Sequence, residues 1–180
     1  MQWPTILLII VLISTGVCPP LLAAPPSRVR SLTGVVAVQV AVEDLNRTTR
    51  ETGLQKEQIQ HFAEQYLVKQ GVSVVRGSKG GPIVYVRLSS VIGGMEAHAP
   101  VSFYLTIQVK QFARLIRAQK ATPVEPVPDE SPYLVTTWED GTMVMSDKKE
   151  LNFYVQQVLA NLLGALVQDY QEANRKGRAS

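Results

Sequence analysis

The residue types that do chemistry are few in this chain, and their spacing is poor. His61 follows Glu57 by four positions, so on a helix the two would share a face and offer two metal ligands. A zinc site needs more donors, and no third stands at a ligand spacing. A partly exposed helix histidine is the simpler account. His98 lies in Met95-Glu96-Ala97-His98-Ala99-Pro100, where a loop imidazole beside Glu96 could move a proton if a nucleophile approached. No Gly-x-Ser-x-Gly elbow is present, and the single cysteine, Cys18, sits in an apolar N-terminal run, so His98 reads as a solvated loop residue. Glu139-Asp140 is a carboxylate pair, but neighbours in a turn ordinarily accept backbone hydrogen bonds. Gly77-Ser78-Lys79-Gly80-Gly81 has the glycine content of a phosphate cradle. It lacks the Gly-Lys-Ser/Thr ending and the following helix of a P-loop, so it reads as a turn. Asn46-Arg47-Thr48 has the form of a glycosylation sequon, meaningful only in a eukaryotic secretory pathway. The expectation is a protein that is not an enzyme, with no catalytic residue, no cofactor and no metal ligand.

Composition sets the frame for the elements that position these residues. The chain has 180 residues, 46% of them hydrophobic and 18% charged, which is a length for one domain and a composition for a packed core. One cysteine excludes a disulfide framework. A formal charge of +3 is too mild for a nucleic-acid-binding stripe, so no nucleic-acid partner is expected.

Charge is also unevenly placed. The first charged side chain is Arg28, and residues 6–13 are all Ile, Leu or Val. That run is shorter than the roughly 20 apolar residues of a membrane span, and Pro19-Pro20 would break any helix that extended it. Residues 1–24 read as a signal peptide, although residues 1–5 hold no Lys or Arg and Ala23-Ala24 is followed by Pro25-Pro26. An uncleaved signal anchor is the alternative. Cys18 raises lipidation, which would hold the mature chain on a membrane through two acyl chains. Thr15-Gly16-Val17 before it, however, has a branched residue where a lipobox has a small one. The protein is expected outside the cytoplasm, periplasmic or extracellular, and peripheral membrane association is compatible with this.

Beyond the leader, residues 25–172 read as one α+β domain, with residues 173–180 a polar tail. Alternation over residues 35–42 predicts a strand, and residues 43–52 predict a loop. Thr52 with Gln55 fits a capping box ahead of a helix whose apolar stripe is Ile59, Phe62, Ala63, Tyr66 and Leu67. Gly71 stands at its C-terminal cap. Residues 72–75 form a short strand. Residues 83–92 and 101–109 alternate clearly and predict a hairpin. Residues 118–132, with Pro123, Pro126, Pro128 and Pro132, predict an extended connector. Residues 133–138 and 143–146 predict a strand pair turning at Asp140-Gly141. A long helix follows, capped by Ser146 or by Asp147 with Glu150. Its stripe is Leu151, Tyr154, Val155, Val158, Leu159, Leu162, Leu166 and Tyr170, widened by Leu163 and Val167. The order β-α-β-β-β-β-α predicts a two-layer sandwich: a mostly antiparallel four- to five-stranded sheet with two helices on one face.

Several of these stretches together resemble the N-terminal domain of TolB and periplasmic or outer-membrane accessory lipoproteins of that topology. They are residues 34–42, the helix ending in Gly71-Val72-Ser73-Val74-Val75, residues 104–112, Thr137-Trp138-Glu139-Asp140-Gly141 and the C-terminal amphipathic helix. The likeness covers residues 33–172 and is one of element order, so it transfers no functional residue. It implies an envelope scaffold or accessory role without catalysis.

Two functions follow. One is an exported envelope accessory protein that binds another envelope or membrane-associated protein. The other is a carrier of a small molecule or lipid, which would need an apolar cavity of about 300 Å³ or more. If both helices cover one sheet face, alternation assigns Ala37, Gln39, Ala41, Tyr85, Arg87, Ser89, Tyr104, Thr106, Gln108 and Lys110 to the open one. Tyr and Arg among uncharged polar residues have the composition of an interface. The candidate protein-binding face is Gln39, Tyr85, Arg87, Tyr104, Gln108 and Lys110. Trp138 is expected to be a core anchor, sharing the parity of Leu134 and Thr136.

The leader generates a direct test. N-terminal sequencing of the native protein is expected to return a start between Val17 and Pro25, from a fraction outside the cytoplasm. Intact Met1 in a soluble cytosolic fraction would refute export.

Overall fold

The computed structural model describes residues 27–77, 80–94, 96, 99–113 and 132–175. The leader with Cys18, His98, nearly all of the proline-rich connector, Ser78 and Lys79 of the glycine-rich loop, and residues 176–180 lie outside the described residues. Chain order is α1 (Ser27–Arg30), β1 (Ala37–Val42), α2 (Arg47–Arg50), α3 (Lys56–Lys69), β2 (Ser73–Val74), β3 (Ile83–Ile92), β4 (Pro100–Ala113), β5 (Tyr133–Asp147) and α4 (Leu151–Arg175). The five strands form one sheet in the order β2-β1-β3-β4-β5. This is the α+β architecture expected from the sequence.

The sheet is mixed. β1 runs parallel to both β2 and β3, and the antiparallel part is β3-β4-β5. The reason is connectivity. A helix between β1 and β2 returns the chain in its starting direction, so those strands are parallel, whereas the short connection from β3 to β4 makes a hairpin. The long ladders are the antiparallel ones.

Period-two alternation places Val38, Val40 and Val42 of β1, Val84, Val86 and Leu88 of β3, and Val101, Phe103, Leu105, Ile107 and Val109 of β4 in one core. Ile59, Ala63 and Leu67 of α3 and the stripe of α4 from Leu151 to Val167 pack on them, with Phe62, Tyr66, Tyr154 and Tyr170 half-buried at the margin. α3 closes as its sequence predicts. Gly71 has φ +82°, Val72 N–H donates to Leu67 O and Gly71 N–H to Val68 O, which together make a Schellman motif.

Capping at the other helix ends differs from the sequence reading. Gln55 is itself the N-cap of α3 and makes no side-chain cap bond, while Thr52 Oγ1 donates to Thr49 O. The hydroxyl is taken by the preceding turn, because part of the expected loop is the one-turn helix α2. Asn46 caps α2: its Oδ1 accepts from Thr49 N at 2.7 Å and from Thr49 Oγ1 at 2.6 Å, and its Nδ2 donates to Ser90 O. Before α4, Ser146 and Asp147 are still in β5. The stretch before β1 adds to the core as well: α1 buries Val29, and Leu32 joins the core. At the other end α4 continues to Arg175, and Asn174 bonds Leu32 O and Gly34 N.

The largest departure is β5. No turn forms at Asp140-Gly141. Gly141 pairs with Thr106 in the middle of one unbroken strand. β4 offers a ladder along its whole length, and folding back at Gly141 would forfeit half of it. The glycine answers crowding rather than a turn. A Cβ there would lie 2.9 Å from Tyr104 Oη and 3.1 Å from Leu105 O.

The stripe of α4 sets a prediction. Leu159 is fully buried and Leu162 nearly so. Leu159→Ala or Leu162→Ala is expected to cost about 2–5 kcal/mol, read as a drop in thermal melting temperature, with Leu159 the larger effect. If both variants melt within about two degrees of wild type, α4 is not part of the core.

Candidate protein-binding face

Alternation along β3 and β4, locked by their register, builds the open face in rows. Tyr85 pairs with Gln108, Arg87 with Thr106, Ser89 with Tyr104 and Val91 with Ser102. β5 continues the rows with Glu139, Gly141, Met143 and Met145, and β1 adds Ala41 beside Tyr85 and Gln39 beside Ile83. The six candidates Gln39, Tyr85, Arg87, Tyr104, Gln108 and Lys110 therefore share one face, opposite the helices.

Their chemistry is largely mutual. Lys110 Nζ stands 3.6 Å from the centroid of the Tyr85 ring, a cation–π contact that flattens the lysine over the sheet. Gln108 Nε2 donates to Glu139 Oε1 at 2.9 Å. Arg87 Nε donates to Glu43 Oε2 at 2.9 Å. Tyr104 is 43% exposed, with its hydroxyl over Gly141. Thr106, expected on this face, is on it by register yet buried, with its methyl also over Gly141.

The sequence reading missed an apolar extension of the face. Val91 is 73% exposed and Met143 and Met145 are each 71% exposed, clustered with Tyr104 by the rows above. Val91 was reachable, since it continues the parity of Tyr85, Arg87 and Ser89. Met143 and Met145 were hidden by the expected turn at Gly141, which detached them from the parity of Glu139. At the far end Phe112 and Leu134 are paired and half-exposed.

Trp138 is a core anchor, as expected, but for a different reason. The ladder slips at Val109/Lys110, so Val109 faces Trp138 and Lys110 faces Thr136. Thr137 is the extra residue of a bulge. Leu134 and Thr136 thus fall on the open face, and the bulge turns Trp138 inward. Its Nε1 donates to Asp169 Oδ2 at 2.8 Å. Arg28 Nε meets the same oxygen at 2.9 Å, and its guanidinium lies 5.8 Å from the Trp138 ring centroid.

The remaining chemical candidates stay apart. His61 and Glu57 are both exposed on α3, and no cluster of metal-ligating side chains occurs among the described residues. Glu139 and Asp140 point to opposite faces, and Asp140 Oδ1 accepts from Gly141 N at 2.8 Å. An open depression of about 510 Å³ lies around Asp44, Arg50, Lys56 and Glu57. Its Asp44–Lys56 pair, at 2.6 Å, holds the Asp44 carboxyl below its ordinary range by direct hydrogen bonding and raises the lysine. Two apolar voids between sheet and helices are about 10 Å³ each, room for one water at most. Neither void approaches the size of the cavity that a carrier requires. None of their helices is long and apolar enough to cross a membrane.

No family model matches the chain, and no curated protein matches it. Among solved structures it is similar to a minor lipoprotein from Acinetobacter baumannii, at 8% identity and a TM-score of 0.41. That alignment covers 78% of this chain and 92% of that one. It is also similar to the rare lipoprotein B from Shewanella oneidensis, at 10% identity and a TM-score of 0.34, over 76% of this chain and 94% of that one. Likenesses this distant bear on neither partner nor activity. The resemblance to the TolB N-terminal domain rests on element order alone.

One buried carboxylate gives a pH prediction. Glu64, 7% exposed, accepts from Arg76 Nη2 and from Gln60 Nε2. The Arg76 hydrogen bond lowers its pKa against the opposing effect of burial. A depressed carboxyl stabilises the fold above the ordinary carboxylate range and loses that contribution as pH falls through its folded value. Wild type should therefore exceed Glu64→Gln in stability at neutral pH, and the gap should close on acidification below about pH 4. Denaturant melts across that range check it. A gap that is constant with pH would mean the ion pair does not form.

Proposed function

We propose that this chain is a non-catalytic, exported cell-envelope accessory protein that binds another envelope or membrane-associated protein through the open face of its sheet. One observation carries the reading: a single register gathers Tyr85, Arg87, Tyr104, Gln108 and Lys110, and the exposed Val91, Met143 and Met145 adjoin them. Contiguous apolar surface rimmed by polar side chains is a mark of protein interaction sites. The filled core supports a binding surface outside it over a carrier's interior cavity. The apolar, charge-free leader supports export.

The test is Tyr85→Ala combined with Tyr104→Ala. Both side chains are on the open face, so the melting temperature should fall only modestly, by a few degrees at most. Partner recovery after cross-linking in intact envelopes should be lost. Recovery equal to wild type, from a protein that still melts cooperatively, would refute the reading.

A further inference from the structure

No strand pairs with the outer edge of β5 among the described residues. β5 is last in the sheet order and pairs with β4 alone. A bare edge is a template for another strand, and proteins blunt it with bulges, lysine, proline or inward-pointing charges. The first half of β5 is blunted in this way. Thr137 is bulged, Ser31 Oγ donates to its carbonyl at 2.9 Å, and Asp140 has the parity of the helix-covered side, opposite Ile107. The second half is not. Residues 141–147 hold no lysine, no proline and no bulge, and their outward methionines are exposed.

We propose that two copies of this chain pair through the second half of β5, antiparallel about a two-fold axis at Val144, merging two five-stranded sheets into one. Parity and charge select this register. An axis perpendicular to the sheet keeps outward side chains outward, so paired residues share parity and the axis passes through a residue. An axis at Met143 sets Glu139 against Asp147 of the second copy, and one at Met145 sets Asp140 against Glu150. Both oppose like charges. An axis at Thr142 sets the two acids against Met145 and Val144. An axis at Val144 sets Met143 against Met145 in both directions and Thr142 against Ser146. It runs Glu139 and Asp140 toward Lys149 and Lys148 of the second copy. The charge order, acids before the segment and lysines after it, is self-complementary under this two-fold axis. The exposed strip of Val91, Tyr104, Met143 and Met145 is doubled across the axis. This proposal is independent of the partner reading, because the face can dock a protein whether or not the edge self-pairs.

The experiment is sedimentation velocity on the protein as the cell processes it, as a function of concentration. Wild type should show a monomer–dimer equilibrium. Glu139→Lys alone and Lys149→Glu alone should each weaken it by about tenfold, and the two together should restore it. Mild oxidation of Val144→Cys should yield a covalent dimer, since directly opposed antiparallel residues lie within disulfide reach. Val36→Cys, 79% exposed and remote from this edge, should not. A chain that is monomeric at every concentration overturns the proposal, as it would if another segment covered the edge. So does a dimer that ignores both charge reversals and does not cross-link at position 144.

Discussion

Burying the Trp138 indole is the constraint on which most of this structure hangs. The side chain is 1% exposed, and its N–H has to find an acceptor inside the protein or cost several kcal/mol. Asp169 supplies that acceptor, and a buried carboxylate in turn needs a cation. Arg28 provides it from α1. Three elements far apart in sequence are thereby fixed together: β5 through the tryptophan, α4 through the aspartate and α1 through the arginine. The bulge at Thr137 belongs to the same arrangement, because with regular alternation through Thr137 the tryptophan would share the parity of Leu134 and Thr136 and face outward with them. Gln111 and Ser31 bond Thr137, so the bulge is held from both the sheet and the residue that follows α1.

Packing both long helices on one side of the sheet has a consequence for the other. Two helices supply enough apolar stripe to cover one face of five strands, and nothing among the described residues covers the second. An antiparallel sheet tolerates this when the outward side chains are polar, and much of the outward face meets that condition through its own contacts: Lys110 on Tyr85, Gln108 on Glu139 and Arg87 on Glu43. The end nearest the β3–β4 connection does not. There Val91, Met143 and Met145 stand in water beside Tyr104. Unbranched, polarisable methionine is suited to a surface that repacks against a partner. The face thus divides into a self-satisfied polar part and an unsatisfied apolar part, which is the division between a rim and a core in an interface.

Much of this was written locally. The period-two runs of β1, β3 and β4, the stripes of α3 and α4, and the cap at Gly71 are visible because each depends on residues within a few positions of one another. The assignment of Tyr85, Arg87, Tyr104, Gln108 and Lys110 to one face needs nothing more than alternation, because β3 and β4 pair without a slip from Ile83↔Lys110 to Ile92↔Val101. What the sequence could not disclose were the features decided by a distant neighbour. Asp140-Gly141 has the composition of a turn, but its glycine is crowded by Tyr104 and Leu105 on the adjacent strand, and the ladder with β4 outweighs the local preference. Thr52 has the spacing of a cap, but α2 takes its hydroxyl. The bulge at Thr137 leaves no mark on composition, yet it reverses the faces of everything before it in β5. The parallel pairing of β1 is likewise a matter of connectivity. Periodicity settles which side of an element is buried, because that is a property of the element. Register, direction and the place of a bulge are properties of pairs, and only the tertiary structure brings the pairs together.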